Sequence, residues 1–588
     1  MRTYRFFVYQ SADIIVVISL FVLVWLCFAN TVNNDFVYDD FAYVKNNPSI
    51  RNIRKIGDYF TDLHTYQSAG PEGQFKVYRP LVTASFAIDY ILWSDNPVGY
   101  HLTNTILHFL VSVLLYIFLI LLFSNRGVAF VASAVFLVHP LQVEAVSWIS
   151  GRGNLLYAMC ALLCMICSVR FLRTNRISYY IMMLFLFALA LFSKEMAMNI
   201  IPLELLIFLY IRKWDFKKIT SFFIPMLIIA GAYMFIRRFV VGQTAQISYW
   251  GGSLFVTVVT MAKVVLKYLW ILIYPLHLNV IPEIHIIHSV FAPEFFISFL
   301  VLVGLLFISV KYFRKSPFFF GVWWVMLSLT PVSNIIALRA LFAERFLYFG
   351  VAGFAFSAVW GLQRLELRKF LLISTALIIV LLCRSVIRNT DWRNNFALWE
   401  SVLRVDPANA KAHNGVGVEL LRVGNTNGAL AEFVTALAID PDNVYFANNL
   451  ALAYKMNGQP EQAFAVLEKS LSYPSDNAAV YHNLGLYYLE EQNYKKALGY
   501  LLEAVGIDSH YSNAYNSLGI VYSHLGDEEN AVRSWRKAHN LMPDWIEPYY
   551  NIIVYYRKSG NLRKAEKFLR EALELYPDEK VFLKLNND

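Results

Sequence analysis

Charge is scarce in this chain: Asp, Glu, Lys and Arg make up 16% of its 588 residues, while 57% are hydrophobic, including 46 Phe and 36 Tyr. A soluble domain carries about 25% charged residues, so most of this chain must face lipid. Cysteine is scarcer still. All five (Cys27, Cys160, Cys164, Cys167 and Cys383) lie inside apolar runs, where a thiol behaves as a small packing residue. That placement argues against a disulfide framework. Cys160, Cys164 and Cys167 share one helical face, but no His or carboxylate interleaves to make a metal site. The formal charge of +9 sits largely in short clusters between apolar runs, such as Arg170, Arg173 and Arg176. That is topology signalling rather than a nucleic-acid surface.

What is present falls into two regions. Apolar runs fill residues 1–390 and stop near Ser385, beyond which the sequence is polar and helical. At the start, Arg2 and Arg5 precede an apolar core from Ile14 to Phe28, the form of a signal anchor. Leu26 before Cys27 spoils a lipoprotein box and Cys27-Phe28-Ala29 is a poor cleavage site, so the segment is read as the first span. A hydrocarbon core needs about 20 apolar residues per helix. Twelve candidates stand at 14–30, 102–123, 128–147, 154–172, 178–193, 197–211, 219–237, 254–276, 292–311, 317–335, 346–363 and 370–387.

With Met1 inside, loop 31–100 falls outside, Arg170 to Arg176 inside, Lys194 and Glu195 outside, and Arg212 to Lys218 inside. Counting back from Arg364, Arg368 and Lys369, and from Lys311, Arg314 and Lys315, gives a parity that differs by one span. The reading therefore expects about eleven spans, with either 219–237 or 254–276 not crossing fully. The second is the weaker, because Lys263 and Lys267 interrupt it. Loop 31–100 and the C-terminal region are then expected on one extracytoplasmic face, the periplasm of a bacterium or the endoplasmic reticulum lumen of a eukaryote.

From Asn409 a 34-residue period runs without insertion. The small position falls on Gly417, Ala451, Gly485 and Gly519, with Ile553 in the last repeat, and the residue twelve later is always Ala: Ala429, Ala463, Ala497, Ala531 and Ala565. Tyr454, Tyr488, Tyr522 and Tyr556 recur in register, and Pro441, Pro543 and Pro577 close repeats, with Pro474 one residue early. Small residues let two helices cross closely and Pro ends the second, which is the signature of five tetratricopeptide repeats over 409–578, followed by a tail at 579–588. Residues 391–408 read as half a repeat, a capping helix with Trp399 at the large position and Pro407 as terminator. The fold expected is all-α: a polytopic membrane domain, then an α-solenoid. Such an array binds an extended peptide or protein partner, and Asn414, Asn449, Asn483 and Asn516 are natural ligands for its backbone.

Ionisable groups at membrane depth are costly and mark function by default. Here they recur at span ends, on the face read as extracytoplasmic: Asp39 and Asp40; Tyr78 and Arg79; His101 and Asn104; His139 and Glu144; Arg152 and Asn154; Lys194 and Glu195; Glu344 and Arg345. His108, on its span, reads as an interhelical hydrogen bond rather than a ligand. Adjacent carboxylates facing several cations suit activation of a nucleophile beside a phosphate, with Arg79, Arg152 and Lys194 as the phosphate ligands.

Tyr38-Asp39-Asp40, Tyr78-Arg79-Pro80-Leu81, Tyr100-His101-x-x-Asn104, His139-Pro140-x-x-x-Glu144-Ala145-Val146 with Gly151-Arg152, Ser193-Lys194-Glu195, Glu344-Arg345-x-Leu347-Tyr348 and the C-terminal repeats occur in an order and spacing that span essentially the whole chain. Together they resemble the transmembrane and tetratricopeptide-repeat-containing protein family. That resemblance implies a C-type (GT-C) membrane glycosyltransferase using a polyprenyl-phosphate sugar, mannose in eukaryotic members, with secreted proteins as acceptors. It also implies an essential acid in the first loop, at Asp39 or Asp40. Family members commonly carry an acid soon after Gly-Arg, whereas Gly153-Asn154 follows here and loses the charge.

The mechanism expected is single displacement with inversion: Asp39 or Asp40 takes the acceptor hydroxyl's proton while the cations hold the departing lipid phosphate. It needs no tightly bound cofactor and does not require a divalent metal. The rival expectation is a non-catalytic membrane-anchored repeat scaffold. A flippase would place charges along the midplane, and here they stand mainly at span ends.

Overall fold

In a computed structural model, the described residues are 11–62, 65–66, 77–212, 214–242, 248–313, 316–473, 478–543, 545–577 and 579–587. Arg2, Arg5, Arg314, Lys315 and Pro474, used above, lie outside them. The chain divides into two compact units, Met1–Pro407 and Ala408–Asp588, and the regular elements of the described residues are all helices or helical turns.

The first unit contains α1 (Ser11–Phe28), α2 (Pro80–Trp93), α3 (Pro97–Phe123), α4 (Arg126–Val138), α5 (Val143–Ser147), α6 (Arg152–Thr174), α7 (Ile177–Ser193) and α8 (Ile200–Ile211). It continues through α9 (Phe216–Val241), α10 (Leu254–Ile273), α11 (Pro293–Phe313), α12 (Pro317–Ser328), α13 (Gly350–Leu362), α14 (Leu367–Asn389) and α15 (Asn395–Val405). Among the described residues seven segments are long and apolar enough to cross a membrane: Ala12–Asn33, Pro97–Phe123, Ile149–Thr174, Phe216–Val241, Leu254–Ile273, Pro293–Lys311 and Leu367–Trp392. The pair Arg126–Val138 and Pro140–Ser147, bent by 55°, makes an eighth if it is one span. This is a multi-pass membrane chain.

Several expected spans differ in detail. The 254–276 segment, read as the weak one, supplies an uninterrupted 20-residue helix. The short ones are 178–193, 197–211, 317–335 and 346–363, whose main helices are α7, α8, α12 and α13, of 17, 12, 12 and 13 residues. The physical reason is local. α4 stops at His139, whose successor Pro140 has no N–H to continue the ladder, and α7 stops where Lys194 takes an extended conformation, φ −162° and ψ 137°. Loop 31–100, expected as a plain loop, contains the apolar helix α2. Its aromatic residues Phe36, Tyr59, Phe86 and Tyr100 build a buried cluster with Val44, Ile50 and Ile149. Elsewhere small residues set the packing: a Cβ on Gly321 of α12 would lie 2.6 Å from the carbonyl of Gly353 on α13, so only glycine permits this crossing.

The second unit is five helical hairpins, from α16 (Ala410–Arg422) and α17 (Thr426–Ile439) through α18 (Val444–Met456), α19 (Pro460–Ser470), α20 (Ala478–Glu490), α21 (Tyr494–Ile507), α22 (Ser512–His524) and α23 (Glu528–Leu541) to α24 (Glu547–Lys558) and α25 (Leu562–Leu575), then a last helix, α26 (Lys580–Asn587). A Cβ on Gly417 would meet the Phe433 ring at 2.6 Å and one on Gly519 the Trp535 ring at 2.5 Å, which is why the small position recurs. The asparagines expected as peptide ligands are already bonded between repeats. Asn449 donates to Asn414 at 2.9 Å, Asn483 to Asn448, and Asn551 to Asn516 at 2.9 Å.

Candidate active site

The polar motifs of the first unit sit at helix breaks. Asp40 precedes a short helical turn at Phe41–Lys45, Arg79 is the N-cap of α2, Arg152 opens α6, Lys194 closes α7 and Glu344 opens the turn Glu344–Leu347. A break at membrane depth leaves backbone groups that need partners, and several of these side chains supply them.

His139 accepts from the Leu141 N–H and meets the Leu272 carbonyl through Nε2 at 3.0 Å. Asn104 donates to the carbonyls of Val146, Trp148 and Ile149 at 3.2–3.3 Å and accepts from Arg152 Nε at 2.8 Å. Arg152 is fully buried, paired with Asp89 at 2.5 Å, donating also to the Ser85 and Tyr100 carbonyls and stacked over Phe86. It has no exposed atom to offer a phosphate. Arg152 and Asn104, expected to line the donor site, are engaged within the fold, and Asp89, a partner the sequence reading did not single out, is the carboxylate paired with the cation. His101 is likewise buried, against the backbone of Asn34 and Asp35. Tyr78 donates to the Phe60 carbonyl at 3.1 Å. His108 bridges Tyr348 at 2.8 Å and the Leu137 carbonyl at 3.0 Å, an interhelical bond as expected.

The remaining charged residues converge on one half-open cluster. Arg79 clasps Glu195 with Nε at 3.1 Å and a terminal nitrogen at 2.6 Å, the two side chains being 27% and 40% exposed. Burial would raise the Glu195 carboxyl, but the Arg79 guanidinium overrides it and holds it at about 2. Arg345 donates to both oxygens of the buried Glu144, from its backbone N–H at 2.7 Å and its guanidinium at 2.5 Å. Between these pairs lies Lys194, 3% exposed, which donates to Asn154 Oδ1 and faces the Phe346 ring. Burial, then the nearby Arg79 and Arg345 charges, push its amine well below the usual lysine range, and the fields of Glu195 and Glu144 restore only part of that. Among the described residues Lys194 has no carboxylate ion-pair partner.

The two adjacent acids separate in environment. Asp40 is fully buried and accepts from Val37 N–H at 3.0 Å, Ser150 N–H at 2.7 Å and Ser150 Oγ at 2.5 Å, and burial pushes its carboxyl up to about 7. Asp39 is half-buried and acts electrostatically on both Arg345 and Tyr43. Tyr43 is in turn within the fields of Arg79, Glu195 and Arg339. Tyr43 and Arg339 were missed from the sequence: neither sits in a charged motif, and only the fold brings them to the cluster. Glu344 turns the other way, into a buried pair with Arg388 at 3.4 Å, and burial raises its carboxyl to about 7 against the pull of Arg388.

An apolar cavity of about 900 Å³ lies between α10, α11, α12 and α13, and a second, more polar one of about 450 Å³ shares Lys267, Trp270 and Glu283 with it and reaches Glu344. Among the described residues no three His, Cys, Asp or Glu side chains gather as metal ligands.

Comparison with known proteins agrees with both halves. Tetratricopeptide repeat models match residues 432–465, 478–511 and 546–579. A protein O-mannosyl-transferase of Caenorhabditis elegans is 27% identical over 69% of this chain and 59% of its own length. Protein O-mannosyl-transferase TMTC4 of Mus musculus is 26% identical over 69% of this chain and 64% of its own. The chain resembles the transmembrane and tetratricopeptide-repeat-containing proteins. It spans less than two thirds of the length of these relatives. Among solved structures, the crystal structure of MamA is 28% identical, covering 27% of this chain and 94% of its own, with a TM-score of 0.25.

Proposed function

We propose that this chain transfers a sugar, mannose by analogy with the relatives' names, from a polyprenyl-phosphate donor to a protein hydroxyl on the extracytoplasmic face, with the repeats holding the acceptor. The observation that carries the reading is Lys194. Arg79 and Arg345 each have a carboxylate, while Lys194 is buried against the neutral Asn154. A buried amine without a counter-ion loses its proton readily, and a phosphate entering beside Lys194 would supply the counter-ion that holds it on. Asn154 then has a purpose: it orients the amine without neutralising it. The apolar cavity suits the donor's chain, and the more polar one, which shares Lys267, Trp270 and Glu283 with it, is lined by Glu344, the sequence neighbour of Arg345.

Of the two acids, Asp39 is the better base. Asp40 is fully buried, whereas Asp39 is half-buried and exerts its field on Arg345, one of the cations proposed to meet the phosphate. Asp39 takes the proton of the attacking hydroxyl, the oxygen attacks the anomeric carbon from the face opposite the phosphate, and the C–O bond to phosphate breaks with inversion. The departing charge falls on Lys194 and its arginine neighbours. The test is transfer from a labelled polyprenyl-phosphate mannose in membranes containing the protein, with Asp39→Asn beside Asp40→Asn. Turnover unchanged in Asp39→Asn would remove its assigned role, and no transfer by the unaltered protein to any hydroxylated peptide would leave the scaffold reading.

A further inference from the structure

The base-bearing loop is held from an unexpected direction. Tyr38, immediately before Asp39, has φ 57°, in the left-handed region that a bulky residue rarely enters. Such a conformation persists only where its surroundings over-determine it, and it clusters at functional sites. Here the surroundings come from the far end of the first unit. Asn395 Oδ1 accepts the Tyr38 N–H at 2.7 Å, the Arg393 carbonyl accepts the Asp35 N–H at 2.9 Å, and the Val386 carbonyl accepts from Asn30 Nδ2 at 3.0 Å. Trp399 meets the Tyr38 ring edge-on, with centroids 5.7 Å apart, and Trp148 lies on another side at 6.3 Å.

Asn395 and Trp399 both belong to α15. That helix is itself pinned: Asn394 caps it by accepting from the Ala397 N–H at 2.9 Å, and Asp391 ties Arg388 of α14 to Arg404 of α15. On the other side of Asp39, the Asp40 carboxylate is fixed to Ser150. Asp39 is therefore bracketed by two anchors, one in the membrane core and one on the last helix before the repeats.

We infer that α15 is a positioning element for the reaction, with Asn395 and Trp399 holding the Tyr38–Asp39 peptide so that the base faces the Arg345 side of the cluster. The inference rests on the reading of Asp39 as base. Neither residue touches the reacting atoms. They act through Tyr38, and a small error in placing a catalytic group costs rate rather than binding.

The test uses the full chain in lipid nanodiscs. Asn395→Ala removes the acceptor of the Tyr38 N–H, and Asn395→Asp keeps one. Asn395→Ala should lower kcat by about tenfold or more while KM for the donor stays within about twofold, and Asn395→Asp should restore most of the loss. Backbone hydrogen exchange over residues 35–43 should rise in Asn395→Ala and in Trp399→Ala but not in Asn395→Asp, while exchange in the repeats stays as in the parent. Unchanged exchange at 35–43 in both Ala variants, or equal loss of kcat in Asn395→Ala and Asn395→Asp, would overturn the proposal. An inactive parent chain would defeat the transfer reading, and with it the catalytic part of this inference. The exchange measurement would still decide whether the clamp exists.

Discussion

The two units handle charge in opposite ways. In the repeat unit three exposed ion pairs link neighbouring hairpins: Lys455 with Glu490, Arg536 with Glu571 and Lys564 with Glu528, with side chains 30–55% exposed. Pairs of this kind are screened by water and are individually worth about 0–1 kcal/mol. In the membrane unit Arg152–Asp89 and Arg388–Glu344 are buried, and Arg345–Glu144 nearly so. There each partner's removal strands a charge. A cation without a carboxylate is unremarkable on a solenoid surface, whereas the cations Arg152, Arg345 and Arg388 of the membrane unit each have one and, among the described residues, the buried Lys194 does not. The ligand role proposed for Lys194 rests on that difference.

That contrast is broken most severely at Arg152. Replacing it with Met strands Asp89 in the core, and the membrane unit should lose about 3–5 kcal/mol, seen as a large drop in thermal stability and in detergent-extracted protein. The double change Arg152→Met with Asp89→Asn should recover part of it. An Arg152→Met protein that is fully stable yet inactive would return Arg152 to the donor site, where the sequence reading had put it.

Lys194→Met should do the reverse: stability held or improved, because a buried amine without a carboxylate is gone, and affinity for polyprenyl phosphate reduced by roughly 1.5–3 kcal/mol, the worth of a hydrogen bond to a charged group. Binding by the parent should also depend on pH with a definite sign. Burial and the neighbouring arginines depress the Lys194 amine in the donor-free protein, and a bound phosphate would raise it. The complex then holds more protons than its parts, so affinity should weaken as pH rises. Titrating a fluorescent polyprenyl-phosphate analogue at pH 6 and pH 9 measures this, and equal affinities would contradict the assignment.

The acids allow a second pH comparison. Asp40 sits at about 7 against an ordinary 3.8 because it is buried, so its contribution to stability is fully present below 3.8 and is lost as pH rises through 7. Glu195, held at about 2 against an ordinary 4.5, contributes above 4.5 and loses that contribution as pH falls toward 2. Asp40→Asn should therefore flatten the stability profile between pH 4 and pH 7, and Glu195→Gln should flatten it only on the acid side. Thermal melts from about pH 2 to pH 8 distinguish them.

The hairpin array of the second unit was legible in the sequence, because a 34-residue period repeats the same steric demand five times and each copy corroborates the others. The membrane unit offered no such redundancy. A sequence shows that Arg152 or Lys194 lies near membrane depth, but both look alike until the partner is known, and Asp89 lies 63 residues from Arg152 within an apolar stretch of loop 31–100. Adjacent acids present the same difficulty: Asp39 and Asp40 differ in burial just after Tyr38 turns left-handed, a twist that no property of Tyr foretells. Helix breaks were missed for a related reason. Hydropathy at 178–193 and 197–211 is continuous enough to suggest two spans, and the extended backbone at Lys194 is visible only in three dimensions.

The smallest expected effect lies where the repeat pattern departs from itself. Gly424, Gly458, Gly526 and Gly560 take φ between 72° and 81° in the turn before the second helix of their hairpins, and the equivalent residue of the third hairpin is Gln492, with φ 57°. A side chain in that region costs about 1–2 kcal/mol. Glycine would relieve this, less the roughly 0.5–1 kcal/mol by which its freedom favours the unfolded chain. Gln492→Gly should therefore stabilise the repeat unit by on the order of 0.5–1 kcal/mol, read from urea unfolding of residues 408–588, and leave sugar transfer by the full chain unaltered. Destabilisation instead would mean that the Gln492 side chain makes a contact worth more than its backbone strain. The repeat unit would then share the membrane unit's property, that a departure from the local pattern marks a residue with a partner.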